Sequence, residues 1–230
     1  MSDLAEPSFG LDRGHRRWAA ALALGLLAVV LVIGVRVAHT TGPLHVDRLG
    51  ERVVDTPNIP HTRRAFRGLV WLGSPEFVAA AVAVLALWRA VRRDLLGATA
   101  ALVAPLLAVV LTELVAKPLI GRRLSSAGHS FAFPSGHVTG AAALAALIMA
   151  LAVREWGRRA VWLAVPAVLL PLGVSAGVVR AGFHYPTDAL GGIAMGFSAV
   201  LAVVVLCSAF EDRRRTRRLP VTAGVSGGAP

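Results

Sequence analysis

Thiols and lysines are almost absent from this sequence of 230 residues. Cys207 is the only cysteine, so neither a disulfide within the chain nor a cysteine-based zinc cluster can form. Lys117 is the only lysine, so the other basic residues are arginines. The sequence has 24 basic and 13 acidic residues, which gives a net charge of +11. The arginines lie mainly at the ends of apolar runs, which is typical of membrane topology rather than of a nucleic-acid-binding surface. We therefore expect no nucleic-acid partner.

Long apolar runs make up most of the remaining sequence, which is 56% hydrophobic with a mean hydropathy of +0.66. A helix needs about 20 apolar residues to cross the hydrocarbon core of a bilayer. Six runs reach or approach that length, namely 18–35, 69–88, 95–115, 136–153, 160–179 and 189–210. The sequence therefore predicts an all-α fold, an integral membrane bundle of six transmembrane helices.

The same runs divide the chain into three parts. Residues 1–17 are expected to form a cytoplasmic N-terminal tail, and 18–210 the six-helix membrane domain. Residues 211–230 are polar and then rich in Gly, Ala, Ser and Pro, so a disordered cytoplasmic tail is expected there. The segment 40–68 is predicted to be a long external loop and carries no motif that we can interpret.

Arginine placement also predicts the orientation in the membrane. Outside the motifs described below, arginines concentrate beside both termini and in the links 89–94 and 154–159. Because cytoplasmic segments carry the excess of basic residues, both termini are expected in the cytoplasm of a multi-pass protein of the cell membrane. The links 116–135 and 180–188 then share the external, extracytoplasmic face.

Two histidines occur where apolar runs begin, beside turn residues and a carboxylate. Ionisable groups at the membrane are costly and usually functional, so a packing role for both histidines is the weaker interpretation. The candidate site residues on the external face are Lys117, Arg122, Arg123, Ser135, Gly136, His137, Arg180, His184 and Asp188. Cations, a hydroxyl and two imidazoles together indicate an anion site with an acid and a nucleophile or base.

Local geometry supports this interpretation. Ser135 is placed to cap the helix that follows it, whose free N–H groups and positive dipole end favour a bound phosphate. Gly136 would let the backbone approach that phosphate closely. Asp188 follows His184 by one helical turn, so its carboxylate can hold the imidazole tautomer, and a histidine oriented in this way is an activated nucleophile.

These residues resemble the three signature motifs of the type 2 phosphatidic acid phosphatase superfamily, which includes membrane lipid phosphatases and relatives of the vanadium haloperoxidases. The resemblance rests on Lys117 with Arg122 and Arg123, on Pro-Ser-Gly-His at 134–137, and on His-Tyr-Pro-Thr-Asp at 184–188. The order of the motifs and the predicted six-helix arrangement agree with the family as well.

The resemblance implies a role for each residue. His184 would attack phosphorus and form a phosphohistidine, Asp188 would orient His184, and His137 would protonate the leaving oxygen. The phosphoryl oxygens would be held by Lys117, Arg122, Arg123, Ser135, the Gly136 amide and Arg180. The family needs no metal, and we expect no metal or other cofactor here.

The sequence departs from the family pattern at two places. The first family motif has Arg-Pro after Lys and six further residues, and counting from Lys117 places Leu124 and Ser125 there. The third motif has arginine six residues before its histidine, where this chain has Val178, while Arg180 stands four residues before it. Arg180 can substitute by facing the same way through one turn.

Lys117 also has an alternative interpretation. Glu113 precedes it by four residues, which is the spacing of an ion pair within a helix. In that case the pair would be structural, and Lys117 would be lost to the site.

The favoured function is metal-independent hydrolysis of a lipid phosphate or diphosphate presented from the bilayer, with an undecaprenyl-type diphosphate as the first choice. The alternatives within the family are phosphatidic acid and phosphatidylglycerophosphate. The alternative of another class is a non-catalytic membrane transporter or scaffold that retains the fold. The sequence makes no prediction of oligomeric state.

Overall fold

A computed structural model describes residue 9 and residues 11–55, 59–124 and 131–218. This part of the chain is helical and contains no β-strand, only an isolated bridge between Arg123 and Phe131. The α-helices are α1 (Arg13–Val37), α2 (His45–Val54), α3 (Pro60–Leu72), α4 (Pro75–Val91), α5 (Leu95–Val110), α6 (Lys117–Ile120), α7 (Gly136–Trp156), α8 (Ala164–Arg180) and α9 (Pro186–Arg218). A π-helical turn at Leu111–Ala116 joins α5 to α6, and a 3-10 helix at Gly157–Leu163 joins α7 to α8.

The predicted all-α fold with several apolar helices is confirmed for the described residues, but the predicted number of six spans is not. Four helical stretches are long and apolar enough to cross a bilayer: Arg13–Val37, Leu95–Ile120, Gly136–Arg180 and Pro186–Arg214. A fifth candidate is the pair α3 and α4, which meet at an angle of 49°. The stretch Gly136–Arg180 contains two of the predicted runs, which correspond to α7 and α8. Helix α7 ends before Gly157, and the two helices pack against each other.

The second predicted run, 69–88, is wrong as a single helix. The structure ends α3 at Leu72 and starts α4 at Pro75, with Ser74 accepting a hydrogen bond from the Phe77 amide at 3.2 Å. Proline at the first helical position and serine as the N-cap favour a new helix start. Hydropathy does not change across this boundary, so the apolar run concealed it.

Two other segments are more helical than predicted. The loop 40–68 contains α2 and the first part of α3. The last helix continues past Phe210 to Arg218, so residues 211–218 are helical rather than disordered. The remainder of that predicted tail, 219–230, lies outside the described residues, as do residues 1–8 and 10 of the predicted N-terminal tail.

Helix α7 is the buried centre of the bundle and contacts α4, α5, α8 and α9. The alanine-rich part of this helix is closely packed, since residues 141–147 are buried without exception. On α9, Gly192 and Gly196 face the α7 backbone: a Cβ atom on Gly196 would lie 2.6 Å from the carbonyl oxygen of Thr139. Small residues spaced by four let two membrane helices approach to backbone contact.

The end of the bundle opposite the candidate site is tied together by buried ion pairs. Arg89 contacts Glu155 at 2.7 Å, and Arg154 contacts Asp94 at 2.8 Å. Arg154 also lies 3.6 Å from Glu211. These contacts join α4, the α4–α5 link, α7 and α9, and they fix the far end of α7 relative to its neighbours.

The contact between α7 and α9 predicts a large effect of Gly196→Ala. The added methyl group would meet backbone atoms that cannot move aside, and overpacking of this kind costs about 1–3 kcal/mol. Thermal unfolding of the purified protein in detergent should show a clear loss of stability. Gly25→Ala in α1 is the matched control, because a Cβ there meets nothing within 4 Å. Equal melting temperatures for the two variants would contradict this account of the packing.

Candidate active site

Most of the predicted site residues meet at one end of the bundle, where α7 and α9 begin and α8 ends. His137 is the second residue of α7, and His184 lies in the short link between α8 and α9. Both histidines line one cavity of about 1350 Å³, together with Lys117 and Gly136. The structure therefore brings together the two histidines and the lysine that the motifs predict.

Arg122 has a different place from the one predicted. It is fully buried and does not line that cavity. Its Nη1 donates to Asp188 Oδ1 and to Thr187 Oγ1, both at 2.6 Å, and its Nη2 donates to Asp47 Oδ2 at 2.7 Å. The guanidinium also lies 4.5 Å from the centre of the Tyr185 ring. Arg122 therefore contributes to the site indirectly, because its hydrogen bond fixes the position of Asp188.

Asp47 is the residue that the sequence analysis missed. It lies on α2, is fully buried, and also accepts hydrogen bonds from the amides of Thr187 and Leu44 at 2.9 Å. Burial alone would raise the pKa of its carboxyl group, but these hydrogen bonds and that of Arg122 outweigh burial and lower the pKa. Its only sequence signal is an acidic residue in the first turn of a short helix, which is common in helices without any functional role.

Asp188 lies close to His184 but is not hydrogen-bonded to it. Asp188 Oδ2 is 3.8 Å from His184 Nδ1, and it accepts a hydrogen bond from the Tyr185 amide at 2.9 Å. The Nδ1 atom of His184 is buried and has no hydrogen-bond partner. Catalytic hydrogen bonds are often long in ligand-free structures and shorten in the substrate complex. The pair therefore needs a movement of about 1 Å to form the hydrogen bond.

Ser135 precedes the first residue of α7, as predicted, but its hydroxyl does not cap the helix. The side chain is fully buried, and its Oγ has no partner in the described part of the chain. Its backbone N–H donates to the carbonyl oxygen of Asp188 at 3.0 Å, which joins the starts of α7 and α9. A buried hydroxyl without a partner is costly, so this atom is available for a ligand at the helix N-terminus.

The remaining two arginines point elsewhere. Arg123 is exposed and lines a separate cavity of about 390 Å³ with His39. Arg180 lines another of about 190 Å³ with Arg63 and Arg67 on α3. In this structure, neither reaches the cavity that contains the histidines. Of the four predicted cationic residues, only Lys117 lines that cavity.

The departure from the family pattern at residue 124 is visible in the cavity. Leu124, at the position where the pattern would place an arginine, lines the same cavity as Lys117 and His137. Val178, the second departure, is fully buried in the core, while Ser125 lies outside the described residues. The cavity thus presents an apolar side chain where a second cation is expected.

The predicted pairing of Glu113 with Lys117 is confirmed. Lys117 Nζ donates to both carboxylate oxygens of Glu113, each at 2.8 Å. The pair nevertheless lines the cavity, so Lys117 keeps contact with the site. Across the described residues, no group of three His, Cys, Asp or Glu side chains is arranged to hold a metal ion.

Removal of the Asp47 charge should destabilise the protein and the site together. Asp47→Asn leaves Arg122 with one carboxylate partner, and breaking a buried ion pair costs about 3–5 kcal/mol. We expect a lower melting temperature in detergent. Asp55→Asn on the same segment removes an exposed charge and should leave the melting temperature unchanged. Loss of stability in both variants, or in neither, would refute the role assigned to Asp47.

Comparisons with known proteins agree with this geometry. The model of the PAP2 superfamily matches residues 116–213, which contain every predicted site residue. The fold is similar to the crystal structure of a transmembrane PAP2-type phosphatidylglycerolphosphate phosphatase from Bacillus subtilis, with a TM-score of 0.69 and 21% sequence identity. The match covers 83% of this chain and 96% of that one. No curated protein matches the sequence significantly. The resemblance inferred from the motifs is confirmed by this match: residues 116–213 of the chain are similar to the PAP2 superfamily.

Proposed function

We propose that this protein is a metal-independent membrane phosphatase that hydrolyses a lipid phosphate through a phosphohistidine. The observation that carries the proposal is the composition of the large cavity. At one end it is lined by His137, His184 and Lys117 beside the N-terminus of α7. The rest of its wall is almost entirely apolar, so a single cavity offers both an anion site and a binding surface for hydrocarbon.

The apolar wall extends away from the histidines between α4 and α5. It is lined by Val78, Ala79, Val82, Ala83, Leu102, Pro105, Leu106 and Val109. Side chains on these two helices that lie outside the cavity, such as Val84 and Leu95, are exposed and suit contact with lipid. An amphiphile can therefore place its phosphate at the histidines while its chain lies along α4 and α5 toward the bilayer.

The membrane topology that fits this cavity has six spans. They are α1, the bent pair α3–α4, α5 with its extension, α7, α8 and α9. The ends of α1 and α8 and the starts of α7 and α9 then share one face with the histidines. Arginine placement supports an extracytoplasmic site with both termini in the cytoplasm, in the cell membrane. We retain 18–210 as the membrane phosphatase domain, with 1–17 and 211–230 on the cytoplasmic side.

The reaction has two steps. His184 attacks phosphorus while His137 donates a proton to the leaving oxygen, and a phosphohistidine forms. Water then attacks the phosphohistidine, with His137 as the base that accepts its proton, and phosphate leaves. Lys117, the Ser135 hydroxyl and the Gly136 amide stabilise the charge on the phosphoryl oxygens. Asp188, held by Arg122, orients His184.

Several lipid phosphates fit this reaction. An undecaprenyl-type diphosphate is the favoured substrate, because an extracytoplasmic site meets such carriers during envelope synthesis. The similar structure is titled a phosphatidylglycerolphosphate phosphatase, which supports phosphatidylglycerophosphate as an alternative, beside phosphatidic acid. A non-catalytic transporter or scaffold is the alternative of another class, and Leu124 in place of the motif arginine is the feature that favours it.

Replacement of the nucleophile tests the chemistry directly. His184→Ala should lower phosphate release from all three lipids in detergent by at least about a thousandfold, because no covalent intermediate can form. His61→Ala, an exposed histidine on α3, should keep wild-type activity. Addition of EDTA should leave the wild-type rate unchanged. Equal activity of wild type and His184→Ala would favour the non-catalytic alternative, and loss of activity with EDTA would exclude the metal-free mechanism.

A bulky side chain in the cavity tests the lipid-binding wall. Val82→Trp should obstruct the path of the hydrocarbon chain and lower kcat/KM for a long-chain lipid phosphate about tenfold or more, while a short-chain water-soluble phosphate ester is hydrolysed normally. Val84→Trp, two residues further along α4 and outside the cavity, should change neither rate. Equal effects of Val82→Trp on both substrates would argue against this path.

A further inference from the structure

Glu113 stands at an unusual point of the helix that precedes the first motif. It lies in the π-helical turn Leu111–Ala116, in which the Lys117 amide donates to the carbonyl oxygen of Thr112. Pro118 follows directly, and because proline has no N–H it cannot continue the α-helical hydrogen bonds of that turn. Single π-helical turns often occur at functional sites.

A hydrogen bond between side chains joins the π-helical turn to the first turn of α7. Thr112 and Thr139 are fully buried, and their hydroxyls are hydrogen-bonded at 3.2 Å. The Thr139 hydroxyl in turn donates to the carbonyl oxygen of Ser135 at 2.9 Å. Glu113 directly follows Thr112, so these hydrogen bonds place Glu113 against the first turn of α7.

The carboxylate of Glu113 fills the space that glycine leaves at position 136. A Cβ atom on Gly136 would collide with Glu113 Oε1, and Lys117 Nζ would lie 3.7 Å from it. Both carboxylate oxygens also accept hydrogen bonds from Lys117 Nζ at 2.8 Å. An anionic group of two oxygens therefore lies between the only lysine of the chain and the N-terminus of α7, where a phosphate would bind.

We propose that Glu113 is an internal anion that occupies the phosphoryl-oxygen position in the free protein and is displaced when a phosphate binds. This inference rests on the proposed function and identifies a further residue that sets affinity at the same site. Two anionic groups cannot share Lys117 and the helix N-terminus without strong repulsion. Glu113 is 40% exposed, against 17% for Lys117, so its side chain has room to turn away toward the open cavity.

The consequence is that the site binds inorganic phosphate more weakly. Each phosphate that binds must first break the Glu113–Lys117 pair, and after hydrolysis the carboxylate competes with the product for Lys117. The pair thereby promotes product release and keeps the lysine neutralised between turnovers. Lipid substrates suffer less from this competition, because their hydrocarbon chain contributes binding energy of its own.

Orthophosphate binding to Glu113→Gln tests the proposal without requiring turnover. The amide has the same shape but no charge, so the dissociation constant of orthophosphate, measured by calorimetry in detergent, should fall about fivefold relative to wild type. Inhibition of lipid phosphate hydrolysis by orthophosphate should strengthen by the same factor. Glu113→Ala should bind orthophosphate at least as tightly as Glu113→Gln, which guards against an effect specific to the amide.

Glu76→Gln is the matched control. Glu76 lies in the first turn of α4 and interacts electrostatically with His137, but among the described residues the ion-pair partner of Lys117 is Glu113, so Glu76→Gln removes an equal charge without releasing Lys117. Its effect on orthophosphate binding should be much smaller. Unchanged or weaker binding in Glu113→Gln overturns the proposal, as does the absence of binding in every variant or an equal gain in Glu76→Gln. If Glu113→Gln binds orthophosphate more tightly but the wild-type protein hydrolyses no lipid phosphate, the role of Glu113 as an internal anion is supported. The proposed phosphatase function is then refuted.

Discussion

The buried guanidinium of Arg122 is the interaction on which the geometry of the site depends. It joins three parts of the chain that are far apart in sequence: α2 through Asp47, the link after α6, and the start of α9 through Thr187 and Asp188. A buried charge is costly unless it is paired and hydrogen-bonded, and here two carboxylates compensate for one guanidinium. The residual negative charge of this cluster lies beside His184, where it can stabilise an imidazolium on the residue that we propose as the nucleophile.

The rest of the bundle keeps the first turn of α7 in a fixed position against this cluster. Close packing of α7 on α9 at Gly192 and Gly196 prevents sliding along one side, and the Arg154 ion pairs hold the far end. Near the site, the hydrogen bond from the Ser135 amide to the Asp188 carbonyl joins the two helix starts directly. His137 and the free N–H groups of α7 are thus placed by a rigid helix, while His184 is placed by a short link. Preorganisation of this kind is what electrostatic stabilisation of a transition state requires.

Much of this arrangement could be predicted from local sequence, and the errors have a common cause. Apolar runs and the Pro-Ser-Gly-His and His-Tyr-Pro-Thr-Asp motifs predicted the membrane helices and the meeting of two histidines, because both are local signals. Arg122 was assigned to the phosphate because it stands within a basic motif, yet its burial is decided by Asp47, 75 residues earlier. The break at Gly73 and the π-helical turn at Leu111–Ala116 were hidden because hydropathy is the same on both sides. Long-range pairing and backbone register leave little trace in a single sequence.

The charge balance of the cavity has a consequence for how the proposed phosphatase binds its substrate. Arg122 is neutralised behind the site, Arg123 and Arg180 line other cavities, and Leu124 occupies the position of a motif arginine. Lys117, already paired with Glu113, and the N-terminus of α7 remain to attract an anion. Such a site attracts free phosphate only weakly, and most of the affinity for a lipid must come from its hydrocarbon chain along α4 and α5. Binding energy from that remote, unreactive part of the substrate is then available to displace Glu113 and position phosphorus at His184. A site poor in cations is therefore compatible with catalysis on a lipid, whereas it would serve a small soluble phosphate badly.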